Sequence, residues 1–204
     1  MMKGIMAREA AGGAAHSRQK MITSAALLLR ERGMSGMSFG DVIEHSGAPR
    51  GSIYHHFPGG KDQLVAEAVR FAGDYAAGTI ERAARDGGDP VAVLRAFTAG
   101  WRTVLEASDF RAGCPVVAVA VEAHDDDSAL AGAASEVFVA WRTALESLLC
   151  AQGIPAARSR RLATTTVAAI EGAVVMCRAE RDVQPLSDVS GELERMLTSA
   201  LADT

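Results

Sequence analysis

Apolar positions recur every three to four residues along most of this 204-residue chain, and no segment alternates convincingly as a half-buried strand would. From Ser17 onward, Met21, Ala25, Leu28 and Leu29 share one helical face at i, i+4, i+7 and i+8. Arg30, Glu31 and Arg32 fill the last turn, and Gly33 can end the helix. Ahead of it, residues 1–16 are rich in Gly and Ala without any period and read as a flexible arm. Ser38, with Asp41 three residues on, is a capping-box-like start. It opens a short helix that turns Phe39, Val42 and Ile43 inward and stops at Ser46-Gly47. Pro49 suits the first turn of a third helix, where its missing N–H would be unpaired anyway. Ile53 and Phe57 are the apolar i, i+4 pair of that helix, and Pro58-Gly59-Gly60 ends it. Two short helices joined by a Gly-containing turn have helix-turn-helix geometry.

Downstream the pattern stays helical. One long segment runs from residue 62 to about 86 and closes at Gly87-Gly88. Asp89-Pro90 is an N-cap with Pro at N1, opening a helix with Val93, Leu94, Phe97, Trp101 and Leu105 on one face. Pro115 starts a short apolar helix, and His124-Asp125-Asp126-Asp127 forms a polar corner able to cap a helix ending near Ala151. Gly153 and Pro155 separate that helix from a long one reaching Arg181, and a last helix spans residues 186–201 after Pro185. The expected fold is all-α: a three-helix N-terminal domain with a helix-turn-helix, followed by a larger helical domain.

Composition narrows the function. Hydrophobic residues make up 49 % and charged residues 23 %, an ordinary globular balance. The longest stretch free of charge, residues 147–157, is far shorter than the about 20 residues of a membrane span, so no membrane association is expected. Residues 1–17 lack the apolar core of a secretory signal. The three cysteines are odd in number and form no C-x-x-C pair, which argues against disulfides and structural zinc and for a reducing cytoplasm. Residues 1–61 hold 8 basic and 4 acidic residues, a net +4, whereas the rest of the chain, with 13 basic and 21 acidic, is at −8. That asymmetry suggests a polyanion partner at the N-terminal end alone. His55-His56 lacks the i, i+4 spacing of helical metal ligands, and His124 with its aspartates reads as a solvated cap. Gly59-Gly60-Lys61 lacks the first glycine and the Ser/Thr of a phosphate loop. No metal, cofactor or nucleotide is expected.

The outward positions around the third helix are Arg50, Ser52, Tyr54 and His55, which supply donors, hydroxyls and a stackable ring. Arg50 can bond two acceptors of guanine through its planar fork, or a phosphate instead. Ser52 and His55 suit either bases or phosphates, and Gly51 leaves room for DNA or for the first helix. The stretch Ser38-Phe39-Gly40-Asp41-Val42-Ile43-Glu44-His45-Ser46-Gly47-Ala48-Pro49-Arg50-Gly51-Ser52-Ile53-Tyr54-His55-His56-Phe57, followed by Lys61-Asp62-Gln63-Leu64, resembles the DNA-binding domain of TetR-family transcriptional repressors. The likeness covers residues 17–65. It implies that Tyr54 and His56 touch the DNA backbone and that Lys61 binds a phosphate. Ser38 and Pro49 complete the candidate DNA-binding set. Gly113-Cys114-Pro115-Val116-Val117-Ala118-Val119-Ala120 and Ala179-Glu180-Arg181-Asp182 resemble the LmrA/YxaF-like subgroup. The resemblance implies a cytoplasmic homodimer on double-stranded operator DNA, released by a small-molecule effector. Residues 1–16 would be the arm, 17–62 the DNA-binding domain and 63–204 the regulatory and dimerisation domain.

In a helical domain, small-molecule sites form between helices. Phe97, Trp101, Phe138, Trp141 and Met176 are the candidate walls, with Cys114 and Val117 at the entrance or floor. So many large apolar groups favour a mostly apolar effector. Glu171 and Arg178 are polar interruptions of an apolar helix, one of them a candidate to face a ligand. Cys114 sits at a helix N-terminus, where the dipole can lower a thiol pKa and make a redox sensor; a small buried residue is the plainer alternative. For the dimer, Thr165, Ala168, Ala169, Gly172 and Ala173 permit close helix approach, and Leu193, Met196, Leu197 and Leu201 form a stripe on the last helix, together giving a four-helix interface. Two other readings stay open: a DNA-binding regulator that activates or needs no ligand, and an enzyme or binding protein using Cys114 as nucleophile.

Overall fold

The computed structural model describes residues 2–123 and 128–203, and the side chains of 15–123 and 129–203. The polar corner expected at 124–127 lies outside the described residues. Among those described, the chain is helical with no strand.

Helix α1 (Met2–Arg32) starts well before Ser17. The stretch read as a loose arm is therefore continuous with the helix. Ala10, Ala11, Ala14 and Ala15 carry high helix propensity around the Gly12-Gly13 pair, and no proline interrupts them. The face of Met21, Ala25, Leu28 and Leu29 is buried as expected. Helix α2 (Phe39–Ser46) carries the full capping box at Ser38 and Asp41 and ends on Gly47 in the left-handed region, φ +66°. Helix α3 (Ser52–His56) begins later than Pro49 would allow, so Pro49 and Arg50 sit in the turn rather than on the helix. Helix α4 (Gly60–Arg85) runs from this lobe into the body.

The body comprises α5 (Pro90–Ala107), α6 (Pro115–Glu122), α7 (Ser128–Ala151), α8 (Ala156–Glu180) and α9 (Gln184–Ala202). Asp89 caps α5 by accepting from the Val91 and Ala92 amides. Helix α7 packs along α4, α8 along α7, and α9 against both α8 and α5. Short α6 touches α1, α4 and α7. One apolar core spans α1, α2, α3, α4, α6 and α7, and a second joins α5, α7, α8 and α9. Phe97 and Trp101 touch both. The N-terminal lobe thus has no separate core: it shares its interior with half of the body.

Helix α8 corrects the expectation that no segment is apolar enough to span a membrane. It contains an 18-residue window of mean hydropathy 1.3, long and apolar enough by composition. The apolar side of α8 is already used inside the fold, where Leu162, Ala163, Ile170, Ala173 and Val174 are buried.

Candidate nucleic-acid interface and effector cavity

The edge formed by α2, α3 and their turn is built from the inside. Ile53 and Phe57, each 1 % exposed, pin α3 to the shared core. Pinning one face of so short a helix leaves the opposite face outward. Pro49, Arg50, Gly51, Tyr54 and His55 are all exposed there. Tyr54 is braced edge-on against Phe39, ring centroids 5.5 Å apart. His56 is half-buried next to Phe57, and burial, then His55 and Arg18, hold its pKa below the ordinary histidine value. Arg18 lies over the Phe57 ring at 5.0 Å and pairs with Glu67 at 2.6 Å.

Three expected contact residues are committed elsewhere. The Ser52 hydroxyl donates to the Pro49 carbonyl at 2.7 Å, tying the turn to α3. The Ser38 hydroxyl accepts from the Asp41 amide at 3.2 Å as half of the cap and donates to the Asp41 carboxylate. Lys61 Nζ donates to the Met34 carbonyl at 2.7 Å. An ammonium has three donors, so Lys61 retains capacity for a phosphate. A Cβ on Gly51 would meet nothing within 4 Å, so crowding by the first helix does not explain that glycine.

Behind this edge, the end of α1 is clasped by the body. The Gly113 amide donates to the Arg30 carbonyl at 2.7 Å. The Met34 and Ser35 amides donate to the two oxygens of Glu122, at 3.0 and 2.8 Å. Burial alone would raise the Glu122 carboxyl, but these hydrogen bonds and the Lys61 charge hold it below its ordinary value. Gly33 is favoured by its φ of +72°, and a Cβ there would lie 2.2 Å from Glu122 Oε1 and push that carboxylate out of the clasp. The Arg30 guanidinium sits over Trp101 at 5.9 Å, and burial lowers its pKa.

The cavity lies between α4, α5, α7, α8 and α9. Its walls are Ala76, Ile80, Pro90, Val93, Leu94, Phe97, Trp141, Leu145, Leu149, Thr166, Val167, Ile170, Glu171 and Leu197. Its volume is about 40 Å³, so the space is narrow with the walls as they stand. Of the expected walls, Phe97 and Trp141 belong to it. Trp141 is fixed by donating Nε1–H to the Gly73 carbonyl at 2.9 Å, and Phe138 meets its ring edge-on from outside the lining. Trp101 and Val117 are half-buried against the first core, and Met176 is 50 % exposed on the outer side of α8, so these three do not line the space. Periodicity places Met176 on α8 but does not say which face turns inward.

Glu171 is the ionisable wall residue. It is 8 % exposed, and its Oε2 is buried without a hydrogen-bond partner. Burial raises its pKa from 4.5 to about 7, against a hydrogen bond from the Cys114 thiol. Cys114 in turn is buried, and burial followed by the Glu171 charge pushes its thiol well above the ordinary value. This reverses the lowered pKa expected from the α6 N-terminus: desolvation outweighs the dipole of a short helix. Cys114 is also absent from the cavity lining, standing behind Glu171. Cys177 is buried and Cys150 is exposed.

The candidate interface residues divide. Ala173, Leu193 and Leu197 are buried within the protomer at 1 %, 3 % and 3 % exposure. They serve its own core, and Leu197 also lines the cavity. Thr165, Ala168 and Gly172 are exposed, and Ala169, Met196 and Leu201 are half-buried. Thr165, Ala169, Leu193 and Met196 border a surface groove between α8 and α9.

Comparison with known proteins agrees with this arrangement. The family model for bacterial regulatory proteins of the tetR family matches residues 22–68. That for the C-terminal domain of LmrA/YxaF-like transcriptional regulators matches residues 90–192. An HTH-type transcriptional regulator of Mycobacterium tuberculosis strain H37Rv is 41 % identical over 191 residues, spanning 91 % of this chain and 96 % of the relative. The HTH-type transcriptional regulator LmrA of Bacillus subtilis is 30 % identical over 181 residues, spanning 89 % and 96 %. The crystal structure of a regulatory protein TetR from Rhodobacter sphaeroides superposes with a TM-score of 0.76 at 25 % identity, over 88 % of this chain and 97 % of that one. With an exposed helix-turn-helix edge clasped to a helical body of LmrA/YxaF type, this chain belongs to the TetR family of transcriptional regulators.

Proposed function

We propose that the protein is a cytoplasmic, homodimeric repressor that leaves its operator when a mostly apolar small molecule enters the cavity of the body. The observation that carries this reading is the cavity itself. A wall of aliphatic and aromatic groups with one carboxylate is the composition of a ligand site. The three proposed regions are an N-terminal segment at 1–16, whose residues 2–16 form the first turns of α1, a DNA-binding domain at 17–62 and a regulatory domain at 63–204.

Arg50 and His55 enter the major groove from the exposed edge, with Arg50 as the guanine reader. Tyr54, His56 and Lys61 hold the backbone, and Pro49 and Gly51 let the turn approach it closely. Ser38 and Ser52 act by shaping α2 and α3. A second copy packs α8 and α9 against their equivalents through Thr165, Ala168, Gly172 and Met196. That spacing sets the two reading edges on successive major grooves.

Ligand entry pushes on α5 and α8. Cys114 connects Glu171 of α8 to the loop whose Gly113 amide holds the end of α1. A shift there tilts α1 and with it the reading edge. Ligand moves the equilibrium only through its different affinity for the two arrangements.

The test is a mobility-shift titration on DNA flanking the protein's own gene, with and without a panel of apolar compounds, for the native chain and for Val93→Phe. The native chain should bind and be released. The cavity-filled variant should bind and stay bound. Equal release of both would place the effector site elsewhere. Binding that no compound reverses would favour a regulator that needs no ligand.

A further inference from the structure

We infer that the effector is a lipophilic cation: an apolar, ring-bearing body with one protonated nitrogen that docks on Glu171. This rests on the cavity being the effector site and adds the charge and the anchoring atom.

The argument starts from an imbalance. A carboxylate buried among aliphatic side chains loses its hydration, and proteins offset that by pairing it. Here Oε2 of Glu171 is buried with no partner, inside a lining whose other members carry no ionisable group. Cys114 supplies a weak thiol donor but no counter-charge, and no other group acts on the Glu171 titration. The missing partner is therefore a donor that the fold does not provide, and a cation satisfies the charge as well as the hydrogen bond.

The surroundings favour the same choice. Phe97 and Trp141 present aromatic rings in the same wall, and such faces attract a desolvated cation. An anionic compound would meet a carboxylate and no basic residue. The chain beyond residue 61 carries 13 basic against 21 acidic residues, a net −8 that draws cations toward the body and repels anions. The pKa of about 7 places Glu171 where an arriving cation can convert it fully to the carboxylate, releasing a proton.

The space limits the body of the ligand. At about 40 Å³ the space is smaller than a single aromatic ring requires, so the walls part to admit the ligand, and a flat or narrow body displaces them least. A fused aryl ring on a short amine arm is such a flat body.

Three probes of one shape test this: naphthylmethylamine, naphthylmethanol and naphthoate. Affinities are measured by isothermal titration on the full chain near pH 8, where the amine is still protonated. The amine should bind about tenfold or more tighter than the alcohol, as one charge-assisted contact requires. Naphthoate should bind least. Glu171→Gln should bring amine and alcohol to within about threefold of each other while the alcohol affinity holds. Equal affinity of amine and alcohol for the native chain would overturn the inference while leaving the cavity as the effector site. So would an amine preference that survives in Glu171→Gln. If none of the three binds, the cavity reading itself fails and the inference falls with it. The native-chain comparison needs no variant, so a misfolded substitution does not blunt the test.

Discussion

Replacing Glu171 by Gln removes a buried charge and keeps its shape, and the consequence appears in the pH dependence of stability. The carboxyl titrates near 4.5 when unfolded and at about 7 in the fold. A folded pKa above the unfolded value means that the native state holds the extra proton between those two values. Stability contributed by Glu171 is therefore complete below the unfolded pKa and is lost as pH rises through about 7. Integrating from about pH 5 to about pH 8 gives a loss of about 2–3 kcal/mol that the Gln variant does not suffer. For a chain of this size that is about 5–10 °C in Tm. Every other titratable group is common to both proteins, so the quantity to take is the difference of differences. Thermal unfolding is followed by circular dichroism at one protomer concentration, for both proteins at both pH values. The gap in favour of the Glu171→Gln variant should widen by that amount on going alkaline. A gap that stays constant with pH would mean that Glu171 is solvated or paired in solution, and the buried-carboxylate argument would be wrong.

Arg50→Ala should cost about 1–3 kcal/mol of operator affinity and relax the preference at one base pair of each half-site, measured by titrating operator variants; equal weakening on every sequence would make Arg50 a phosphate contact. Lys61→Ala should lower the slope of log affinity against log salt by about 1, because one phosphate contact is lost, and an unchanged slope would restrict Lys61 to holding Met34. Gly172→Arg should give a folded monomer by light scattering, since a Cβ at Gly172 meets nothing within 4 Å inside the protomer, so only a partner can object. A dimer of that variant would move the interface off α8. Glu122→Ala removes two amide acceptors at the end of α1 and should destabilise the chain by about 1–3 kcal/mol in urea unfolding; an unshifted midpoint would show that the clasp is not formed in solution.

The helix-turn-helix is legible in the sequence because its signals are local. The Ser38–Asp41 box, Gly47 and the Ile53–Phe57 pair each act within a few residues, and each occupies its expected place. The Asp89-Pro90 and Pro115 starts are legible for the same reason. A helical period also gives a helix its apolar stripe, and this is why Phe97 and Trp141 stand out as wall residues. It does not tell which of several faces meets a cavity, a core or solvent. Met176 has the period of an inward residue and lies outward, while Leu193 and Leu197, expected against a partner, lie inside their own protomer.

What the chain determined by itself is the class of fold, the order of its helices, the exposed edge of the helix-turn-helix and the family. All of these follow from periodicity, caps and turn residues, whose energies are set by neighbours in sequence. Only the tertiary structure decided the rest. Residues 114 and 171 lie far apart along the chain, yet Cys114 donates to Glu171. Glu122 closes on the amides of Met34 and Ser35 from 88 and 87 positions away. The fate of a charge depends on how much water and which partners the whole fold leaves around it. Glu171 and Cys114 are visible in the sequence as residue types, but the burial that raises both pKa values exists only once the helices of the body have closed around them.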